Sequence, residues 1–288
     1  MQKAGKKHPA FPAQRQHLPG MEYKMKPLPE FETTLLGSNK LLNKVCIVTG
    51  GDSGIGRAVA IAFAKEGADI AIVYLNEDRD AKETASIITE EYSRACLLVR
   101  ADIGKERNCT MAIKKIIKKY KHVDVLVNNV GIQQSTDSLA DISTRQLQRT
   151  FAVNIFSMFW LTKAALPYMA DGSAIINSSS VTAYRGSPHL LDYSATKGAI
   201  VSFTRSLSAN LVSKGIRVNG VAPGPVWTPL IVASFSPKHV RTFGTDSPMQ
   251  RAGQPSEIAP SYVFLASDES RYITGQFIHP NGGEIVGA

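Results

Sequence analysis

The chain has 288 residues, of which 43% are hydrophobic and 20% charged, and its net charge at pH 7 is +9. This length is enough for one large α/β domain or two small ones with a substantial core. No run of about 18 or more apolar residues predicts a membrane span, and the Lys- and Pro-rich N-terminus lacks the apolar core of a signal peptide. We therefore expect no membrane partner.

The number and spacing of the cysteines indicate the redox environment of the protein and whether it binds a metal. Cys46, Cys96 and Cys109 are odd in number and have no metal-ligand spacing, so the sequence predicts neither a disulfide framework nor a metal site. The first two lie in apolar runs and are interpreted as small core residues. A reducing, cytoplasmic location is expected.

The positive charge is concentrated near the N-terminus. Residues 1–44 carry a net charge of +5, whereas the much longer remainder carries only +4. A lysine-rich run over residues 114–121 falls on a predicted helix and is interpreted as its solvated face. No zinc-finger spacing and no aromatic–basic motif is present, so no nucleic-acid partner is expected.

Residues 1–43 form a basic, Pro-rich extension ahead of the regular pattern. Prolines stand at positions 9, 12, 19, 27 and 29, and the segment shows little periodicity. This composition favours an extended segment that is either disordered or draped over a neighbouring surface.

From residue 44 to residue 288, short apolar runs alternate with amphipathic stretches. Strands are predicted at Val45–Thr49, Ile70–Tyr74, Cys96–Arg100, Val123–Asn128, Ala174–Ser178, Arg217–Ala222 and Gln276–His279. Helices are predicted from the first glycine-rich turn to about Glu66 and at about Asp80–Tyr92, Glu106–Lys119, Thr144–Met169, Tyr193–Val212 and Ser256–Leu265. Nearly continuous Val/Ile/Leu strands that alternate with helices indicate a parallel sheet covered on both faces. The sequence predicts an α/β fold, a single doubly wound domain of the Rossmann type.

The first predicted strand runs into a glycine-rich turn. It reads Gly50-Gly51-Asp52-Ser53-Gly54-Ile55-Gly56, and a helix begins inside it. Glycines let the backbone turn tightly and approach a pyrophosphate, whose charge is met by free N–H groups at the helix N-terminus. We interpret the segment as a dinucleotide-phosphate turn, the alternative being a tight turn without a ligand.

The end of the second predicted strand bears on the choice between NAD and NADP. Tyr74 stands where an acid usually holds the NAD ribose, and no basic residue lies at Leu75. Arg57 and Arg79 are candidate partners of a 2′-phosphate, or else ordinary surface residues. The cofactor is therefore expected to be NAD or NADP, with the preference left open.

Tyr193 and Lys197 are separated by one helical turn in a predicted helix, and Ser180 lies upstream. On one helix face the phenol and the ammonium would be neighbours. A tyrosine ionises near pH ~10, a nearby Lys⁺ favours the phenolate, and a hydroxyl donor can orient the reacting oxygen. The pair is a candidate acid–base site, although surface pairs show the same spacing.

Several spaced motifs together resemble those of the short-chain dehydrogenase/reductase family. They are Thr49-Gly50-x₃-Gly54-x-Gly56, Asn128-Asn129-Val130-Gly131, Asn154, Ser180 with Tyr193-x₃-Lys197, and Pro223-Gly224. The resemblance covers residues 44–285 and looks closest to an N-terminally extended bacterial branch that includes general-stress oxidoreductases and aldehyde reductases. It implies a dehydrogenase or reductase that acts on CH–OH groups with NAD(P).

The resemblance also implies roles for the matching residues. Tyr193 would be the acid/base, Ser180 would bind the substrate oxygen, and Lys197 would lower the pKa of Tyr193 and bind the nicotinamide ribose. Asn154 would kink its helix and hold a water of the proton relay. The implied cofactor-binding set is Gly50, Asp52, Ser53, Gly54, Ile55, Gly56, Tyr74, Asp102, Ile103, Asn128, Gly131, Tyr193, Lys197, Pro223, Gly224, Val226 and Thr228.

Two of these residues carry further expectations. Asp102 would lie beside the adenine, and Asn128 would both stabilise the central sheet and line the cofactor cleft. The chain departs from the family pattern at Val130, where Ala is usual, and at Ser178, where Ile is common. Ser178 and Ser179 are expected to bond to the backbone.

Residues 226–251 are interpreted as a mobile lid over the nicotinamide. Its expected apolar anchors against the body are Trp227, Pro229, Leu230, Phe235, Phe243 and Met249. Apolar residues around much of two long helices, including Phe156 and Phe159, predict cover on more than one side. The resemblance implies that this cover is a four-helix interface in a homotetramer.

The expected reaction is reversible hydride transfer between a nicotinamide and a small carbonyl or alcohol substrate. The alternative is a non-catalytic NAD(P)-sensing regulator, which loss of Tyr193, Lys197 or Ser180 would have favoured; all three residues are present.

Overall fold

The computed structural model describes residues 10–286, and a seven-stranded sheet lies at its centre. Its strands are β1 Val45–Thr49, β2 Asp69–Tyr74, β3 Cys96–Arg100, β4 Val125–Asn128, β5 Ala174–Ser178, β6 Arg217–Val221 and β7 Phe277–Ile278. They lie in the order β3-β2-β1-β4-β5-β6-β7, and every pairing is parallel. The predicted doubly wound parallel sheet is confirmed.

Helices cover both faces of this sheet. They are α1 Gly54–Lys65, α2 Asp78–Ser86, α3 Glu106–Tyr120, α4 Thr144–Phe151, α5 Ser157–Ala165, α6 Thr182–Arg185, α7 Leu191–Leu211, α8 Pro229–Ser234, α9 Pro237–Val240 and α10 Pro255–Ala266. Side chains of β1 alternate between the two layers: Cys46 and Val48 pack with α1 and α10, whereas Ile47 packs with α3 and α5. Within residues 10–286, no helix has both the length and the apolarity needed to cross a membrane.

The long helix predicted for Thr144–Met169 is interrupted. A π-helical turn, Ala152–Phe156, separates α4 from α5, and a 3₁₀ turn, Leu166–Tyr168, follows α5. Such turns inside helices occur frequently at functional sites. The apolar periodicity of the sequence predicts where the helix lies, but it does not predict the π-helical turn in its middle.

Several of the predicted motifs follow strands at the same edge of the sheet. The glycine-rich turn follows β1, Asp102 follows β3, Ser180 follows β5 and Pro223 follows β6. The strand order reverses between β1 and β4, and in open α/β sheets ligands bind at such a reversal, outside the carboxyl ends of the strands. The topology therefore brings distant segments of the sequence to one cleft.

Residues 10–32, which we call the strap, lie on the surface of the same domain. The strap begins beside the lid (residues 226–251), where Ala10 N–H donates to the Arg241 carbonyl at 2.6 Å and Gln16 N–H to the Val232 carbonyl at 2.9 Å. At its other end the Glu30 carbonyl accepts Ser256 N–H at 2.9 Å. The first part of the predicted extension, residues 1–9, lies outside the described residues.

Candidate functional site

A cleft of about 700 Å³ opens at the carboxyl edge of the sheet. The predicted residues that line it are Gly50, Asp52, Ser53, Gly54, Ile55, Tyr74, Asp102, Ile103, Gly131, Ser180, Tyr193, Lys197, Pro223, Gly224, Val226 and Thr228. The fold therefore brings most of the predicted site residues to one cleft, although they are spread from position 50 to position 228 of the sequence.

Three predicted site residues do not line the cleft: Gly56, Asn128 and Asn154. At Gly56 a Cβ would clash with the Gly50 carbonyl oxygen, so this glycine lets α1 pack against its own turn. The expectation that Asn128 lines the cleft is wrong, because its side chain is buried and donates to Asn177 Oδ1 at 2.9 Å. The neighbouring Asn129 lines the cleft instead and donates from Nδ2 to the Thr49 carbonyl at 3.1 Å.

The glycine-rich turn places the start of α1 beside the cleft. Gly50 and Gly54 have φ values of +67° and +53°, in the left-handed region that favours glycine. Arg57 N–H donates to the Ser53 carbonyl at 3.0 Å, so the amides of residues 54–56 precede the first intrahelical bond. Gly54 N–H is taken by the carboxylate of Glu22, at 2.5 Å. Within the first turn of α1, the amides of Ile55 and Gly56 are therefore available to meet an anion.

The two arginines suggested for a 2′-phosphate lie in different environments. Arg57 is buried, lies 2.9 Å from Glu22 Oε1, and donates to the Asp80 carbonyl and to Thr84 Oγ1, both at 2.9 Å. The suggestion is wrong for Arg57, because partners in the strap and α2 satisfy this buried cation. Arg79 is exposed and does not line the cleft, and its guanidinium stacks on the ring of Tyr23, 4.1 Å from the ring centroid.

Carboxylates lie where β2 meets the cleft. Glu77 lines the cleft and is almost fully buried, although position 74 holds a tyrosine. Burial, with the nearby Glu77 charge, raises the pKa of Asp52 to about 7. The Tyr74 hydroxyl donates to Asp78 Oδ1 at 2.9 Å. Sequence reasoning missed Glu77, since its position beyond the strand end matches no local pattern.

Asp102 is held by an arginine that the sequence analysis also missed. Arg149, on α4, lies 2.9 Å from Asp102 Oδ1 and donates to Asp102 Oδ2 at 3.1 Å. Burial alone would raise the pKa of Asp102, but the Arg149 hydrogen bond and charge hold it below its usual range. Both residues line the cleft, so their pair is part of its wall.

Tyr193 and Lys197 lie on α7 with their side chains buried at the cleft, and Lys197 Nζ is 5.3 Å from the Tyr193 ring centroid. Burial raises the pKa of Tyr193 to about 12, and the nearby Ser180 hydroxyl partly offsets that effect. Burial also lowers the pKa of Lys197 to about 7. The expected lowering of the Tyr193 pKa by Lys197 does not appear, because desolvation dominates for both groups.

Lys197 is positioned by the strand that precedes Ser180. Its Nζ donates to the Ser178 carbonyl at 2.8 Å, and a Cβ on Gly131 would lie 3.4 Å from that Nζ. The phenol, the Ser180 hydroxyl and the amine therefore meet at one end of the cleft. Such an arrangement can hold and deliver a proton beside a bound carbonyl oxygen.

Asn154 lies within the π-helical turn and is completely buried. Its Oδ1 accepts Ile132 N–H at 2.8 Å, and its Nδ2 donates to the Ile132 carbonyl at 2.9 Å and to Thr196 Oγ1 at 3.1 Å. The side chain thus ties the segment after β4 to α7, next to Lys197.

The three consecutive serines, residues 178–180, differ in their hydrogen-bond partners. Ser179 Oγ donates to the Lys197 carbonyl at 2.9 Å, which agrees with the prediction that it bonds to the backbone. Ser178 Oγ instead bonds to two side chains, Tyr262 at 2.6 Å and Asn129 at 3.2 Å, so its expected backbone role is wrong. Ser180 Oγ accepts Thr182 N–H at 3.1 Å, which fixes its rotamer at the end of the strand.

The lid contains α8 and α9, and the strap supplies much of its packing. Trp227 is fully buried, stacks on Phe11 with ring centroids 3.7 Å apart, and donates to the Pro27 carbonyl at 3.0 Å. Met249 is exposed, so its predicted role as an anchor is wrong. Leu18, Pro19 and Gly20 of the strap line the cleft, which no local sequence signal indicates.

The chain is similar throughout its regular part to proteins of one family. A family model described as Enoyl-(Acyl carrier protein) reductase matches residues 50–284. General stress protein 39 of Bacillus subtilis (strain 168) is 53% identical over 278 residues, 96% of this chain and 97% of that protein. NADPH-dependent aldehyde reductase 1, chloroplastic, of Arabidopsis thaliana is 50% identical over 283 residues, 96% of this chain and 98% of that protein.

A solved structure shares the fold. The short chain dehydrogenase from Burkholderia cenocepacia J2315, crystallised in complex with NADP, superposes with a TM-score of 0.80 at 29% sequence identity. The match covers 85% of this chain and 98% of that chain.

Proposed function

The chain belongs to the short-chain dehydrogenase/reductase family of NAD(P)-dependent oxidoreductases, and we propose that it interconverts an aldehyde or ketone and an alcohol, with Tyr193 as the acid–base group. Family membership confirms the sequence prediction and favours an enzyme over the NAD(P)-sensing regulator. One observation carries the proposal: Ser180, Tyr193 and Lys197 line the same cleft as the glycine-rich turn.

The residues of the cleft suit a nicotinamide dinucleotide, which supplies or accepts the hydride when bound. The amides of Ile55 and Gly56 would face the pyrophosphate, since they lie in the first turn of α1 and precede its first hydrogen bond. Asp102, fixed by Arg149, would hold the adenine end. Gly131 leaves space at the nicotinamide end of the cleft, because a side chain at this position would reach Lys197 Nζ.

In carbonyl reduction Tyr193 holds the proton that the substrate oxygen receives. A pKa of about 12 keeps the phenol protonated at neutral pH, and the Ser180 hydroxyl orients it. Lys197, whose pKa burial lowers to about 7, exchanges protons near neutral pH and can replenish the phenol. Asn154 acts as a positioning residue, because its amide joins Ile132 to Thr196 beside Lys197.

In alcohol oxidation the same phenol must first release its proton. Burial opposes this step by raising the pKa of Tyr193, so the rate of oxidation should increase as pH rises above neutral. We propose a small-molecule carbonyl as the substrate class, in line with the name of the aldehyde reductase relative.

The test is an absorbance screen at 340 nm with purified protein, both cofactors, and a panel of aldehydes, ketones, alcohols and an enoyl thioester. Tyr193→Phe is expected to reduce turnover by about 10²- to 10⁴-fold, the usual contribution of a general acid, with dinucleotide binding nearly unchanged. Tyr272→Phe is the matched control, because Tyr272 is fully exposed. A Tyr193→Phe enzyme with wild-type turnover, or turnover of the enoyl substrate alone, would contradict the proposal.

We further propose a homotetramer, which is the expected assembly of the chain. Phe156 and Phe159 expose about half of their surface, and each forms a ring contact with another aromatic of the same face, Trp160 or Phe203. Apolar surface of this kind favours association with a second copy. The expected cytoplasmic location stays a prediction.

A further inference from the structure

The strap reaches the cleft at its centre, between the glycine-rich turn and the lid. Leu18, Pro19 and Gly20 line the cleft together with Gly54 and Pro229. The family model begins at residue 50, so this part of the wall lies outside the matched family region. The curated relatives are nevertheless matched over 96% of this chain.

Glu22 attaches the strap to the start of α1. Its side chain is almost fully buried, with Oε2 accepting Gly54 N–H at 2.5 Å and Oε1 lying 2.9 Å from Arg57 Nη1. Its own N–H donates to Asp80 Oδ2 at 2.8 Å. A carboxylate at a helix N-terminus is stabilised by the free amides and the helix dipole. Burial raises the pKa of Glu22, and the Arg57 charge and the Gly54 hydrogen bond oppose that effect.

A second attachment joins the strap to the lid. A Cβ on Gly20 would clash with the carbonyl group of Pro229, so the two backbones pass too closely for any side chain. A Cβ on Gly54 would lie 3.2 Å from Thr228, the residue before Pro229. The turn, the strap and the lid therefore meet within van der Waals distance of one another.

We propose that residues 18–20 form a wall of the dinucleotide site and that Glu22 is the positioning residue that holds this wall against the glycine-rich turn. The proposal rests on the proposed function, since it assumes that the cleft takes a nicotinamide dinucleotide. A dinucleotide that lies between the turn and the lid contacts the strap. Binding and strap docking then stabilise each other, because coupling between two binding events is reciprocal.

The first experiment measures the Kd of NADH and NADPH by tryptophan-to-nicotinamide energy transfer. Gly20→Ala should weaken binding of the preferred cofactor about tenfold or more, because a small displacement of one wall already costs the contacts that it makes. Gly253→Ala, just beyond the lid, is the matched control, since a Cβ there would make only ordinary contacts, the nearest at 3.7 Å. Equal Kd values for Gly20→Ala and the wild type would contradict the role proposed for residues 18–20 but not the proposed function. No binding by the wild type would overturn the proposed function and the wall together.

The second experiment needs no variant to fold. Arg15 and Lys24 are exposed trypsin sites in the strap, and saturating dinucleotide should slow cleavage there at least severalfold in the wild type. An unchanged cleavage rate would contradict the proposal.

Glu22 variants separate positioning from general stability. Glu22→Ala should raise the KM for the cofactor and leave kcat at saturating cofactor near the wild-type value, because the strap does not touch the proton-transfer groups. Glu22→Gln should restore most of the cofactor affinity, since its amide oxygen can still accept Gly54 N–H. A fall in kcat without a change in KM, or no rescue by Gln, would refute the assignment.

Discussion

Lys197 is a buried amine whose removal should stabilise the protein. Burial lowers its pKa from 10.5 to about 7. Between these two pH values the unfolded chain binds more protons than the folded one, so the contribution of this group to folding becomes less favourable as pH falls. At about 1.4 kcal/mol per pKa unit, the cost is roughly 4 kcal/mol at pH 7 and roughly 2 kcal/mol at pH 9.

Lys197→Met keeps the length of the side chain and removes this cost. It also removes the hydrogen bond to the Ser178 carbonyl, worth about 1 kcal/mol. The variant should therefore be more stable than the wild type by about 3 kcal/mol at pH 7 and by about 1 kcal/mol at pH 9, while losing turnover.

Urea denaturation of both proteins at pH 7 and pH 9, at one fixed protein concentration, measures the effect. Lys82→Met, at an exposed lysine, is the control and should not change the pH dependence. If Lys197→Met is less stable than the wild type at pH 7, or if its advantage is equal at both pH values, the amine is not destabilised by burial and the reasoning is refuted.

Two further predictions concern the buried ion pair and the assembly. Arg57→Met should lower the free energy of unfolding by about 3–5 kcal/mol, because it leaves Glu22 and Asp80 buried without their cation. The stability of Arg57→Lys should lie between those of the wild type and Arg57→Met. If urea denaturation shows that Arg57→Met loses less than about 1 kcal/mol, the buried ion pair is not needed for stability. Light scattering after size-exclusion chromatography should give the mass of four 31.2 kDa chains, and Phe159→Glu should reduce it, since a charge would lie in the apolar face. A monomeric wild type would rule out the proposed homotetramer.

The sequence predicted the sheet well because its signal is local. Strands such as Val45–Thr49 and Ala174–Ser178 have the predicted bounds, since each is a short run of residues buried on both faces of the sheet. The convergence of several motifs on one cleft was also predictable without contact information. The glycine-rich turn, Asp102, Ser180 and Pro223 each follow a strand, and parallel strands place their carboxyl ends at the same edge.

The errors have a different origin. Asn128 and Asn129 are adjacent and identical in type, so only the pleat of β4 decides which one turns to the buried amide network and which to the cleft. Arg57 looked like a surface residue one turn into α1. It is buried because Glu22 and Asp80 come from segments that are distant in sequence.

The sequence by itself determined the fold class, the family, the glycine-rich turn and the spacing of Tyr193 and Lys197, because these depend on local periodicity and on short motifs in a fixed order. The tertiary structure decided the path of the strap and the hydrogen bond from Gly54 N–H to Glu22. It also decided that the pKa of Tyr193 is raised and that the pKa of Lys197 is lowered. Each of these depends on which groups exclude water from a site, and chain folding brings those groups together from distant positions.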